Sequence, residues 1–203
     1  PSRVEKAQIA FFCGTDYLGR DVLSRLIMGT SYTIGSSLLV VLAVALIGGT
    51  LGIVAGMLKG LKARFVGHIF DAFLSLPILL IAIVISTLME PSLLNAMFAT
   101  LLAILPYFIH AIYRAIQQEL KKDYVLMLKL EGISNWELLK GTILPNITVI
   151  YVQEIARAFV VAILDISALS FISLGAQRPT PEWGAMIRDS LELLYLAPWT
   201  VLL

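Results

Sequence analysis

Several things are scarce in this chain, and each scarcity removes a class of protein. There is one cysteine, Cys13. It excludes an internal disulfide, says little about redox compartment, and reads as a small apolar residue. Charged residues make up 14% of the chain, against roughly 25% for a soluble domain. With 59% hydrophobic residues and a mean hydropathy of +0.89, the chain reads as an integral membrane protein in a lipid bilayer. A net charge of +1 argues against nucleic acid as a main partner. There is no GxxxxGK[ST] loop to cradle ATP phosphates, and no HExxH or GxSxG motif. The two histidines, His68 and His110, fall in different apolar segments and are too few for a metal site. Helix-packing hydrogen bonds are their simpler role, and no cofactor or metal is expected. No signal-peptide pattern opens the chain at Pro1. The absence of an initial Met suggests a fragment, with one span before residue 1 and a last span cut short after Leu193.

Four apolar stretches match the roughly 20 residues that a bilayer requires: Ser31–Met57, Phe65–Met89, Ser92–Ile116 and Ile147–Leu174. Gly48, Gly52 and Gly56 repeat at a spacing that lets a second helix approach closely. Pro77 and Pro106 are expected to kink their spans or to have the freed carbonyls satisfied by neighbours. Short-loop cations set the orientation. Lys59, Lys62 and Arg64, then Lys121, Lys122, Lys129 and Lys140, mark two cytoplasmic loops, so residues 1–28 and 175–190 lie outside. Arg3, Lys6, Arg20 and Arg25 run against that assignment. Gly14–Leu26 fits either a short interfacial helix capped by Asp21 or a plain lead-in to the first span.

Lys121–Asn146 is the longest segment unable to enter a bilayer. It reads as two short helices broken at Gly132, a residue that tolerates positive φ. Ser134 and Glu137 stand at capping-box spacing, with Ile133 and Leu138 placed for a hydrophobic staple. Trp136, Leu139 and Ile143 follow at i, i+3, i+7 as one apolar stripe, and Pro145 marks the next boundary. Such a piece suits docking to a soluble partner, or is simply a solvated loop.

Gly132, with Pro145 thirteen residues on, and the flanking DYV and SNW resemble the "EAA" coupling loop of ABC-transporter permeases. The family's Glu-Ala-Ala falls on Leu126, Met127 and Leu128, and an acid stands instead at Glu131. GTDYLGRDVLSRL is similar to a signature of the peptide-type importer permeases, as are PTPEWGAM and ILDISALSF. The resemblance covers nearly the whole chain. It implies an all-α polytopic transmembrane bundle of the type I ABC importer permease kind, in a bacterial inner membrane. It implies as partners a second permease subunit, two ABC ATPase subunits and a periplasmic substrate-binding protein. ATPase motion would enter through Glu131, Gly132, Ser134, Asn135, Trp136 and Pro145. Family cargo includes dipeptides, oligopeptides and nickel, with cationic peptides, haem or putrescine in one subgroup.

Charges inside apolar spans are costly and usually face a bundle interior or cavity. Asp71, Glu154, Arg157 and Asp165 are such charges. Glu154 and Arg157, at i, i+3, can pair. Asp165 returns to nearly the face of Glu154, but about 16 Å along the helix. Glu154, Arg157 and Asp165 are therefore candidate pathway residues, with Asp165 expected near mid-membrane and facing the interior between two permease subunits, and with structural pairing as the alternative. The carboxylates would suit a cationic solute. An ion-coupled carrier would use Asp71, Glu154 and Asp165 instead, but no convincing inverted repeat supports it. An intramembrane hydrolase lacks any local Ser/His signature.

Overall fold

The computed structural model describes residues 12–16, 18–58 and 74–191, and these form an all-helical bundle without strands. The elements are α1 (Val22–Gly56), α2 (Ile78–Thr87), α3 (Leu93–Glu119), α4 (Asp123–Leu130), α5 (Asn135–Leu138), a π-helical turn (Leu139–Ile143), α6 (Leu144–Phe171) and α7 (Trp183–Ser190). Three helices are long and apolar enough to cross a membrane: α1, α3, and α5 through α6 taken as one rod over Asn135–Phe171. Lys59, Lys62, Arg64, His68, Asp71 and the segment from Leu193 lie outside the described residues.

The first span starts earlier than expected. Asp21 accepts from the Ser24 amide as N-cap, and α1 then runs unbroken for 35 residues. Among the described residues no separate interfacial helix precedes it, and Gly14–Leu26 there leads directly into the first span. Ahead of α1, Asp16 accepts from the Leu18 and Arg20 amides and pairs with the Arg20 side chain at 2.6 Å. Burial raises the Asp16 carboxyl, but these hydrogen bonds outweigh it and hold the group below the usual aspartate range. Arg25 bonds the Pro179 carbonyl and lies 3.8 Å from Asp16. Two of the four cations that run against the orientation, Arg20 and Arg25, are thus engaged in local contacts.

The glycine spacing in α1 is a packing seam. A β-carbon at Gly48 would sit 3.0 Å from Phe108, and at Gly52 and Gly56 2.8 Å from Ile112 and Ile116. The three glycines therefore admit successive knobs of α3, as close helix approach in lipid requires. Around this seam Val40, Val44, Ile104, Leu138, Ile143, Ile147 and Ile166 complete the main apolar core.

Pro77 and Pro145 behave differently from the expectation. Pro77 does not kink a span; it is the extended N-cap residue from which α2 starts. Its missing N–H is harmless there. Pro106 is carried inside α3, which continues to Glu119. Pro145 does not end a helix. The chain passes from α5 through the π turn into α6, with Pro145 in the first turn of α6. A π turn bonds i to i+5, here Leu144 N–H to the Leu139 carbonyl, and its wider spacing absorbs a residue that has no N–H and crowds the carbonyl four back.

The far end of the bundle is closed by residues 172–191. Glu182 is fully buried and accepts from Thr33 and Ser167 hydroxyls and from the Ala185 amide. The Trp183 indole donates to the Leu26 carbonyl and its amide to Thr33. This segment pins the start of α1 to the end of α6, so it packs the bundle.

Candidate functional site

Two features stand out, and one rod joins them. At one end lies the α4–α5 pair. Gly132 adopts φ +87°, and the Ser134–Glu137 capping box is formed, with Ser134 accepting from the Glu137 amide. Ser134 pulls the Glu137 carboxyl below the usual glutamate range. Ile133 and Leu138 both pack into the main core, as a staple at the helix start would.

The expected stripe splits. Leu139 and Ile143 are buried with Leu138, whereas Trp136 is 70% exposed. The wider π turn brings Leu138, Leu139 and Ile143 to one side, which an α-helical period misassigns. Trp136 shares the outer surface with Leu126, Met127 and Leu130, all exposed. Glu131, Gly132, Ser134 and Asn135 are exposed between them. The two short helices thus carry an exposed apolar surface, and Lys121, Lys122 and Lys140 are exposed as well. Pro145 lies apart from it, in the first turn of α6.

A polar knot that sequence reasoning missed holds this pair. Glu119, at the end of α3, pairs with Lys122 at 2.7 Å and accepts from Asn146 at 3.1 Å and from Tyr124. Asn146 also donates to the Tyr124 hydroxyl at 2.8 Å. The contact with Glu119 keeps the Tyr124 hydroxyl and the Lys122 ammonium above their ordinary values. The knot ties α4 to the ends of α3 and α6. Its only sequence signal is a glutamate closing an apolar span, with an asparagine just beyond the Leu-Pro.

The second feature is a groove of about 360 Å³ between α3 and α6, lined also by Leu74 and Ile78. Ile104, Phe108, Ala158 and Val161 form its apolar walls. Tyr107, His110, Arg114, Gln118, Glu154 and Arg157 bring polar groups to it. Glu154 and Arg157 pair at 3.4 Å, with the Arg157 side chain 74% exposed. Asp165 is not part of the groove lining. It is 6% exposed, on the inward face of α6 with Ala158, Ala162 and Ile166, so it does not look outward to a second subunit. Nor is it central: it stands six residues before the end of α6, about 9 Å from it. The groove holds one carboxylate against two guanidiniums, so the expected acidic lining for a cationic solute is absent among the described residues. Bipolar charge in an apolar cleft suits a solute that carries both signs.

Residues 48–203 match the sequence family described as "Binding-protein-dependent transport system inner membrane component". The chain is 84% identical, over its whole length and 69% of the relative, to the peptide transport system permease protein SapC of Haemophilus influenzae. It is 49% identical, with the same coverage, to the SapC protein of an Escherichia coli strain. It is 37% identical, over 99% of this chain and 66% of the relative, to the di/tripeptide transport system permease protein DppC of Pseudomonas aeruginosa.

Proposed function

The chain belongs to the binding-protein-dependent transport system inner membrane components, and on that footing we propose that it is the membrane half-channel of an ATP-driven peptide transporter. Its partners are a second, different permease subunit, two ABC ATPase subunits and a periplasmic substrate-binding protein, in a bacterial inner membrane. The α4–α5 patch takes the ATPase. The groove lines half of the pathway, and the second permease supplies the other wall. The observation that carries this reading is the continuity of the rod: α5, the π turn and α6 form one helix of 37 residues, about 55 Å long. It bears Trp136 at one end and Glu154 and Arg157 in the groove. A partner that moves Trp136 moves the groove wall.

Cargo follows from the groove. Arg114 and Arg157 can bind a carboxylate and Glu154 an ammonium, so a peptide with free termini fits better than a purely cationic solute. The peptide names of the relatives agree. An ion-coupled carrier has no use for an exposed apolar helix pair outside the membrane.

The test uses the assembled complex in proteoliposomes, with peptide-loaded binding protein on one side. Gly132→Leu should keep assembly but lose stimulated ATP hydrolysis, because φ +87° strains any side chain although the space around it is open. Gly141→Leu, also in open space but without positive φ, is the control. Full stimulation in Gly132→Leu would refute coupling through this pair.

A further inference from the structure

Phe171 ends α6, and the chain turns at once. Ser173 holds φ +70°, a region that few side chains enter. The segment continues through Gln177 and Arg178 to α7, which brings Arg188 and Asp189 back to the turn. These five residues line an open cleft of about 520 Å³. Hydrogen bonds hold its polar groups together. Asp189 accepts from Arg178 Nε and Nη2, both at 3.1 Å, and from Arg188 Nε at 3.3 Å. Arg188 Nη1 reaches the Ser170 carbonyl at 2.9 Å and the Ser173 hydroxyl at 3.3 Å. The Gln177 amide donates to the Ser173 and Gly175 carbonyls.

Two guanidiniums thus share one carboxylate, and the lining of the cleft is left with a net positive charge. Asp189 also borders a small neighbouring cavity with Asp16, Arg20 and Arg25, so the surroundings add two guanidiniums for one carboxylate. Glu182, the other acid of the closing segment, faces Thr33 and Ser167 instead. Donors remain in the cleft. Arg188 Nη2 has no partner among the described residues. The Ser173 hydroxyl accepts from Arg188 and keeps its own proton to donate. A guanidinium beside a hydroxyl matches an anion with several oxygens.

Depth decides which anion that is. α6 has 28 residues and is about 42 Å long, close to a bilayer with both headgroup layers. The Glu119–Lys122–Asn146 knot marks the polar boundary at its start. Ser173, two residues past its end, then falls in the opposite headgroup layer. Phe171 and Ile172, directly before Ser173, and Ile187, directly before Arg188, are exposed. Apolar surface therefore adjoins the cationic cleft.

We propose that this cleft binds the phosphodiester of one anionic phospholipid, in the leaflet remote from the α4–α5 pair. Arg188 and Ser173 hold its oxygens, Arg178 adds charge, and an acyl chain lies on Phe171 and Ile172. A headgroup amine cancels the phosphate charge within the lipid itself, so a phosphatidylglycerol is preferred to a phosphatidylcholine. Bound there, the lipid braces the closing segment against the end of α6.

The test counts bound lipid, so it is independent of the transport proposal. The complex is purified in a neutral detergent and titrated with phosphatidylglycerol or phosphatidylcholine, and bound lipid is read by native mass spectrometry. The parent should bind one phosphatidylglycerol more tightly than any phosphatidylcholine. Arg188→Gln should weaken that first affinity about tenfold, the loss of one charge-assisted contact. Ser173→Gly should weaken it about threefold, the loss of one neutral hydrogen bond. Glycine accepts φ +70° without strain, so this variant keeps the turn and decides the matter if Arg188→Gln disturbs the fold. An unchanged first affinity in Ser173→Gly would overturn the site. Displacement of the lipid by an equal concentration of inorganic phosphate would also overturn it, and would assign the cleft to a free anion. Unchanged lipid affinity with weaker docking of the binding protein would assign it to an acidic protein surface instead.

Discussion

Tyr151 of α6 donates its hydroxyl to the Ala45 carbonyl of α1 at 2.7 Å. It does so across Gly49, where any β-carbon would collide with the phenol oxygen. The same ring meets Phe108 of α3 edge-on, with centroids 5.7 Å apart. One side chain thus engages all three long helices, and a glycine on the facing helix gives it room.

Gly49→Ala should therefore lower the stability of the bundle by about 1–3 kcal/mol, the usual range for overpacking. Tyr151→Phe alone should cost about 1 kcal/mol, the net value of one hydrogen bond. Because the two residues touch, the double variant should be less destabilised than the sum of the singles. Thermal unfolding in one detergent checks all three, and strict additivity would show that Gly49 and Tyr151 do not share the contact.

Glu182→Ala removes one carboxylate and strands Thr33, Ser167 and the Ala185 amide. Each abandoned donor costs about 1–3 kcal/mol when buried, so this substitution should be among the most destabilising outside the main core. Limited proteolysis should then cut residues 172–191 in the variant and spare them in the parent. A protease-resistant Glu182→Ala would remove the closing role.

Tyr124→Phe and Asn146→Ala loosen the knot that fixes α4 to α3 and α6, and on the proposed function they should disturb the α4–α5 pair without changing Trp136 or its exposed neighbours. Both should keep ATPase binding and lower transport per ATP hydrolysed. Counting the two together in proteoliposomes separates this outcome from simple loss of assembly.

The orientation is checked by cysteines at exposed positions. In a Cys13→Ser background, Gln177→Cys should react with an impermeant thiol reagent in intact cells with a permeabilised outer membrane. Glu131→Cys should react only after lysis. Both positions are exposed, whereas neighbouring Ala176 is buried and would be silent on either side. Reversed labelling would invert the docking proposal.

Asp16 gives an acid-side prediction. Its folded carboxyl lies below the usual aspartate range, so its contribution is present above the unfolded value and lost as pH falls through the lower, folded one. Asp16→Asn should be less stable at neutral pH and should lose less on acidification than the parent. Unfolding midpoints across an acid pH series test both signs.

Much of this was legible in sequence because local chemistry set it. Asp21, Gly132 and the Ser134–Glu137 box act within one or two turns of themselves, and the Gly48–Gly52–Gly56 repeat needs only a partner helix. What escaped depended on neighbours distant in the chain. Glu119, Tyr124 and Asn146 meet across 27 residues. Leu139 and Ile143 were grouped with Trp136 on one exposed stripe because a helical wheel assumes a constant period, and the π turn changes it. Asp165 was placed on a face correctly by periodicity, but whether that face looked outward or inward was decided by α2 and α3.

The π turn has a geometric consequence beyond housing Pro145. It holds one residue more than an α turn would over the same rise, so everything after Ile143 is phased by about 100° relative to an unbroken helix counted from Trp136. Trp136 and the Glu154–Arg157 pair are thus set to a fixed dihedral, like two cranks keyed to one axle. The key lies at Leu139–Ile143. Moving that extra residue along the axle would turn only the part between its old and new positions. The rod can therefore convey torque as well as thrust, and its angular setting is written in five residues.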